Sequence, residues 1–261
     1  MTTTTVAPPA RRIPVAGGFS LGFLLLELRR MLRNKRTLIF TLVMPPAFFA
    51  IFGVQSDYTT QSYGSGNVTA YVMISMAVYG AMLATTSGGA MVSIERALGW
   101  SRQLRLTPLR PSAYVATKIA VAMALGLVSV SVVFLVGGVL GAHMPAAAWL
   151  GCFLLAWLGS VVFAAFGLFM GYLLPSENVM QILGPGLAIL AFAGGLFVPP
   201  SGWFETVSRF FPTYGVAALA RSPLGEIGVG TAAVAVVNLL VWAAIFVVGA
   251  TVLFRRDTAR V

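Results

Sequence analysis

From Ile119 to Leu140 the chain runs for 22 residues without one charged side chain. A helix of that length, at about 1.5 Å per residue, crosses the ~30 Å hydrocarbon core of a bilayer. Backbone groups in hydrocarbon must bond within their own segment, so such a run folds as a helix. Comparable runs recur along the sequence. They predict an all-α, polytopic membrane protein before any motif is considered.

Six runs read as spans, at about 38–54, 68–94, 119–140, 146–174, 179–198 and 231–254. They form a single transmembrane domain over 37–254. Pro45-Pro46 removes two backbone donors inside the first run, which predicts a kink or break. Gly184-Pro185-Gly186 and Gly194-Gly195 interrupt the fifth. Short turns are expected at Gly141 to Pro145 and at Pro175-Ser176-Glu177-Asn178. The segment 199–230 is too long for a turn. Its Trp203, Phe204, Val207, Phe210 and Phe211 repeat at helical spacing until Pro212, which predicts outer re-entrant or interfacial helices that cap the bundle.

Before the first span, residues 19–36 read as an amphipathic helix. Leu21, Leu24, Leu25, Leu28, Met31 and Leu32 share a face, and Arg29, Arg30, Arg33, Lys35 and Arg36 crowd the rest. Such a helix suits the inner interface of a bilayer. The same pattern fits a solvated helix that merely precedes a span. Residues 1–18 are polar and basic and read as a disordered cytosolic tail, with no cleavable signal peptide.

Charge sets the orientation. With the N-terminus inside, fifteen of the 17 Lys+Arg fall in cytosolic pieces, and Arg209 and Arg221 fall outside. That asymmetry obeys the positive-inside rule and puts both termini, including residues 255–261, in the cytosol. The excess of basic over acidic residues therefore reports topology, not a nucleic-acid partner.

Much chemistry is excluded. The two lysines, Lys35 and Lys118, follow Asn34 and Thr117, so neither is the lysine of a P-loop. One cysteine, Cys152, and one histidine, His143, cannot assemble a zinc or iron centre. The seven acidic residues are scattered, and none lies mid-span, as an ion-coupled carrier would want. No catalytic residue, metal or cofactor is expected in this chain, and energy must enter from a cytosolic partner.

The main cytosolic feature is the stretch 95–118. Glu95, Arg96, Gly99, Leu104, Thr107, Pro108, Leu109 and Lys118 resemble the signature of type-2 ABC exporter permeases: Glu-Arg-x-x-Gly, leucines, Thr-Pro-Leu, then a span starting near a Lys. Gly194 to Pro199, Phe211-Pro212-Thr213-Tyr214 and Leu219-Ala220-Arg221 fit the same family. Gly99-Trp100 and Pro111 to Tyr114 look most like its antibiotic-export branch, the daunorubicin-resistance permeases.

The resemblance implies a half-transporter in a bacterial cell membrane. It would pair with a second permease subunit, the same or different, and with a separate ABC subunit that binds ATP and Mg. The coupling helix would be Ala97 to Leu106, with Glu95, Arg96, Gly99, Arg102, Leu104, Arg105, Thr107 and Pro108 as the ATPase-coupling set. Arg29, Arg30 and Arg33 of the interfacial helix would also meet the ATPase. By charge alone, Arg102 and Arg105 fit lipid phosphates better than a protein partner, and it is the whole motif that favours coupling.

A path for an amphipathic substrate is sought on the second span. Ser75, Tyr79, Met82, Thr86, Gly89 and Ser93 share one helical face, with Phe192 and Phe197 as further candidates. Such a face lines a pathway or a seam between helices. The expected cargo is a drug or antibiotic. Export of a lipid or polysaccharide, or ion-coupled carriage, are the alternatives.

Overall fold

The computed structural model describes residues 20–99, 111–225 and 227–259. The expected N-terminal tail (1–18) and most of the expected coupling segment, including Arg102, Leu104, Arg105, Thr107 and Pro108, lie outside the described residues.

Helix α1 covers Leu21–Leu32. Ser20 caps it by accepting from the Phe23 N–H at 3.1 Å, and Arg29 and Arg30 occupy the last turn, where a cation suits the helix dipole. After Arg33-Asn34 the chain is helical again: α2 (Lys35–Leu38), a π turn (Ile39–Val43) and α3 (Met44–Phe52). Pro45 has no N–H for the Thr41 carbonyl, four residues back. The turn widens instead, and the Met44 N–H reaches Ile39 O. Ser129 Oγ then donates to Thr41 O at 2.9 Å. The adjacent prolines thus follow a π turn and do not break the helix.

The connection that follows holds α4 (Ser56–Thr60) and a small hairpin, β1 (Ser62–Tyr63) against β2 (Gly66–Asn67). The hairpin is antiparallel, with Ser62 opposite Asn67. Asn67 fixes this corner. Its Oδ1 accepts from Ala70 N (2.9 Å) and His143 N (3.0 Å), and its Nδ2 donates to Gly141 O (2.8 Å).

Helix α5 (Val68–Ala97) is the central helix and the most buried of the long apolar ones. Around it lie α6 (Pro111–Val139), α7 (Ala146–Gly159), α8 (Val161–Leu173) and α9 (Ser176–Ala193). Next come α10 (Trp203–Ser208), α11 (Pro212–Arg221), a 3-10 turn (Ser222–Leu224) and α12 (Val229–Ala259). Helix α6 is described from Pro111, ahead of its apolar run. Pro212 opens α11, because proline suits a first helical turn, while α10 has already ended at Ser208. The fourth run divides at Ser160, whose Oγ bonds Trp157 O at 2.6 Å. Helix α9 passes through Pro185 without a break, with open space beside Gly184 and Gly186.

Four stretches among the described residues are long and apolar enough to cross a membrane: Val68–Ala97, Ser112–Val139, Ala146–Leu173 and Val229–Asp257. Ile39–Phe52 is a shorter apolar helix. Lipid offers no hydrophobic drive for helix association, so close packing must hold the bundle. The α5–α8 seam supplies it through small residues. A Cβ on Gly167 would lie 2.2 Å from Thr86 O, and one on Gly89 would lie 2.6 Å from Ala164 O.

Candidate functional site

The C-terminal end of α5 carries Glu95, the centre of a buried charge cluster. Its Oε1 accepts from Lys118 Nζ on α6 (2.5 Å) and from Arg30 Nη1 on α1 (2.9 Å). Its Oε2 accepts from the Tyr114 hydroxyl on α6. Lys118 Nζ also donates to Glu27 Oε2 on α1, at 2.5 Å. Glu95, Lys118 and Glu27 are only 2 %, 3 % and 5 % exposed, so water does little to hold these charges. Two carboxylates face two cations, and Lys118 lies 5.3 Å from the Tyr114 ring centroid. Buried ions persist when they are paired and hydrogen-bonded in this way.

The sequence puts the cluster together by helical register. Tyr114 and Lys118 are four apart on α6, and Glu27 and Arg30 three apart on α1, so each pair shares a face. The apolar floor beneath is Met31, Ala84, Met91, Val121 and Leu125, with Leu24 and Leu28 packed on it.

Arg96 faces the other way. It grips Asp257 of α12 with two bonds, Nε to Oδ2 at 2.9 Å and Nη2 to Oδ1 at 2.5 Å. Its Nη1 also donates to the carbonyls of Gly171 (3.2 Å) and Tyr172 (3.1 Å), in the last turn of α8. Those carbonyls have no partner within their own helix, and a cation is favoured there. Gly99, with φ +72°, follows the end of α5 and bonds Arg96 O through its N–H at 3.0 Å. Only glycine takes that backbone readily, so it turns the chain out of α5. Glu95 and Arg96 therefore tie α5 to α1, α6, α8 and α12 at one end of the bundle.

The opposite end is built differently. Buried Arg221, at the end of α11, donates from Nη2 to Ser75 Oγ and Leu196 O, both at 2.7 Å, and from Nη1 to Gly195 O at 3.2 Å. Its guanidinium carbon lies 4.1 Å from the Tyr71 ring centroid. Asn238 of α12 donates to Arg209 O (2.7 Å) and Phe211 O (3.2 Å) and accepts from Gly215 N (3.2 Å). Thr213 Oγ1 bonds Leu190 O.

The candidate path residues are divided. Ser75, Met82 and Thr86 are buried inside the bundle, and Thr86 Oγ1 bonds Phe163 O of α8 at 3.3 Å. Tyr79 meets Phe197 edge-on, with ring centroids 5.1 Å apart. Phe192 is 55 % exposed on the outer face of α9. On α1, Arg29 and Arg33 are exposed, and Arg30 reaches into the cluster.

Sequence reading singled out Glu95, Arg96, Arg30 and Lys118, but not Glu27, Tyr114 or Asp257 as their partners. A signal was present for one of them: Glu27 is the one acid in a basic helix. The pairings themselves join residues 65 and 91 positions apart.

Comparison with known proteins bears on this end of the bundle. The ABC-2 type transporter family matches residues 23–224, which include every member of the charge cluster. YvfS of Bacillus subtilis (strain 168), a protein named as a transport permease, is 27 % identical over 194 residues, covering 72 % of this chain and 78 % of its own. The four helices long and apolar enough to cross a membrane agree with a membrane subunit of such a transporter. The chain belongs to the ABC-2 type transporter family: it is a multi-pass transmembrane permease, not an enzyme, and its ATPase resides in a partner subunit.

Proposed function

We propose that the chain is the permease half of an ATP-driven exporter that expels a drug or other amphipathic compound across a bacterial cell membrane. Six crossings, with both termini in the cytosol, are inferred from the four long apolar stretches together with Ile39–Phe52 and α9. In that topology α1 lies along the inner interface, and α10 and α11 close the outer side. A second permease copy or a related subunit completes the transmembrane pathway. ATP and Mg bind to the partner.

The observation that carries the reading is the buried cluster around Glu95. The segment 97–106, proposed to dock on the ATPase, emerges from α5 directly after Glu95 and Arg96. The chain then re-enters through Tyr114 and Lys118 of α6. Both flanks are locked to α1 and, through Arg96, to α8 and α12. A push on the docking segment therefore moves four helix ends together with α1. Arg102 and Arg105 are proposed to meet acidic groups of the ATPase. The polar groups of α5, α11 and α12 at the other end hold the exit closed in this state.

ATP-driven daunorubicin accumulation in inverted vesicles tests the proposal, with the permease and its ATPase co-expressed. Uptake that needs ATP and survives collapse of ion gradients supports it. Replacing Arg102 and Arg105 together with Ala should abolish uptake or subunit binding. Gradient-driven uptake without the ATPase, or full activity in that variant, would overturn it.

A further inference from the structure

Helix α1 supports a second reading of the arginines that the family resemblance assigns to the ATPase. Leu26, Arg29, Arg30 and Arg33 line an open recess of about 320 Å³ on its outer side. Arg29 and Arg33 are one turn apart, and neither has a carboxylate partner among the described residues. Beside them Leu21, Leu25 and Leu32 lie open, at 66 %, 55 % and 44 % exposure. Helical register puts these leucines on a strip next to the arginines. An acidic protein surface would satisfy the arginines and leave the leucines in water. A phospholipid satisfies both, since its phosphate takes the guanidinium forks and its acyl chain covers the leucines.

We propose that this recess binds the phosphodiester headgroup of an anionic phospholipid, held by Arg29 and Arg33 with its chain along Leu21, Leu25 and Leu32. The proposal rests on the reading of α1 as lying at the inner membrane interface. Arg30 lines the same recess and bonds Glu95 at 2.9 Å. A bound headgroup therefore acts on the buried cluster through one shared guanidinium, and the lipid sets how firmly α1 is clasped to α5.

Native mass spectrometry of the full-length permease in neutral detergent tests this by titration with phosphatidylglycerol and with phosphatidylcholine. Phosphatidylglycerol should bind at least about tenfold more tightly. The R29Q/R33Q variant should lose about tenfold of that preference, and R29K/R33K should keep most of it, since each cation near a lipid surface contributes comparably. An unchanged preference in R29Q/R33Q would overturn the proposal. So would displacement of the lipid by millimolar inorganic phosphate, which would mark a free-anion site. Retained lipid with loss of the ATP-binding subunit would assign the surface to that subunit instead. Because the readout is lipid binding, it does not depend on whether the complex exports a drug.

Discussion

The two ends of this bundle use the same kinds of side chain for different tasks. At the Glu95 end, cations meet carboxylates from other helices: Lys118 with Glu27 and Glu95, Arg30 with Glu95, and Arg96 with Asp257. At the Arg221 end, Arg221 and Asn238 donate mainly to backbone carbonyls at the helix breaks around Gly194-Gly195 and before Pro212. One end is joined by charge between distant segments. The other is repaired by hydrogen bonds within a broken one. Charge pairs tolerate small shifts in distance, because Coulomb attraction decays slowly, whereas hydrogen bonds weaken steeply when misaligned. The first arrangement suits a joint that transmits movement, and the second a closure that is either made or broken.

Substitutions can separate these cases. The largest effect is expected for Lys118→Met, which leaves Glu27 only the longer pair with Arg30 at 3.7 Å and leaves Glu95 with Arg30 and the Tyr114 hydroxyl. Breaking a buried pair costs about 3–5 kcal/mol. Thermal unfolding in detergent should show a large loss, and adding Glu27→Gln should recover part of it. Next comes Arg221→Met, which removes the donors to Gly195 O, Leu196 O and Ser75, at about 2–3 kcal/mol. Limited proteolysis should then cut first within 195–225, while the Glu95 end stays protected. The α5–α8 seam between the two ends should respond to Gly167→Ala. The added Cβ meets Thr86 O, and overpacking of this kind costs about 1–2 kcal/mol. The smallest effect is expected for Glu205→Ala, which removes an exposed pair with Arg209 on α10. Such pairs contribute little, so the melting temperature should not change measurably. A large shift there, or a small one at Lys118, would erase the contrast drawn between buried and exposed charge.

Much of the fold was legible because the bilayer restricts the choices. Apolar runs predicted helices, and four of them lie on helices long and apolar enough to cross a membrane. The fifth span's Gly194-Gly195 does end a helix, at Ala193. What escaped sequence reading depended on neighbours. The π turn before Pro45 is completed by Ser129, 88 positions away. Pro185 reads as an interruption, but one lost N–H is not enough to stop α9 where its other face packs through Val179, Leu183, Leu187 and Ala191. Of the site, the Glu95-Arg96 dipeptide and Lys118 could be found from the motif. Glu27 and Asp257 could not be assigned as partners, because periodicity predicts a face but not what faces it. On the polar face of α5 the Thr86 hydroxyl meets Phe163 O of α8, a neighbour that periodicity does not name.

The central functional claim is that the Glu27–Lys118–Glu95 cluster transmits the ATPase's movement to α1 and the bundle. Its most direct test is ATP hydrolysis by the ATP-binding subunit, alone and reconstituted with the permease, using the Glu27→Gln/Lys118→Met double variant. That variant removes one charge of each sign and leaves Glu95 bonded to Arg30. The account predicts that it still binds the ATPase subunit but that permease-stimulated hydrolysis falls about tenfold or more. Stimulation equal to that of the wild type, with the subunit bound, would contradict it.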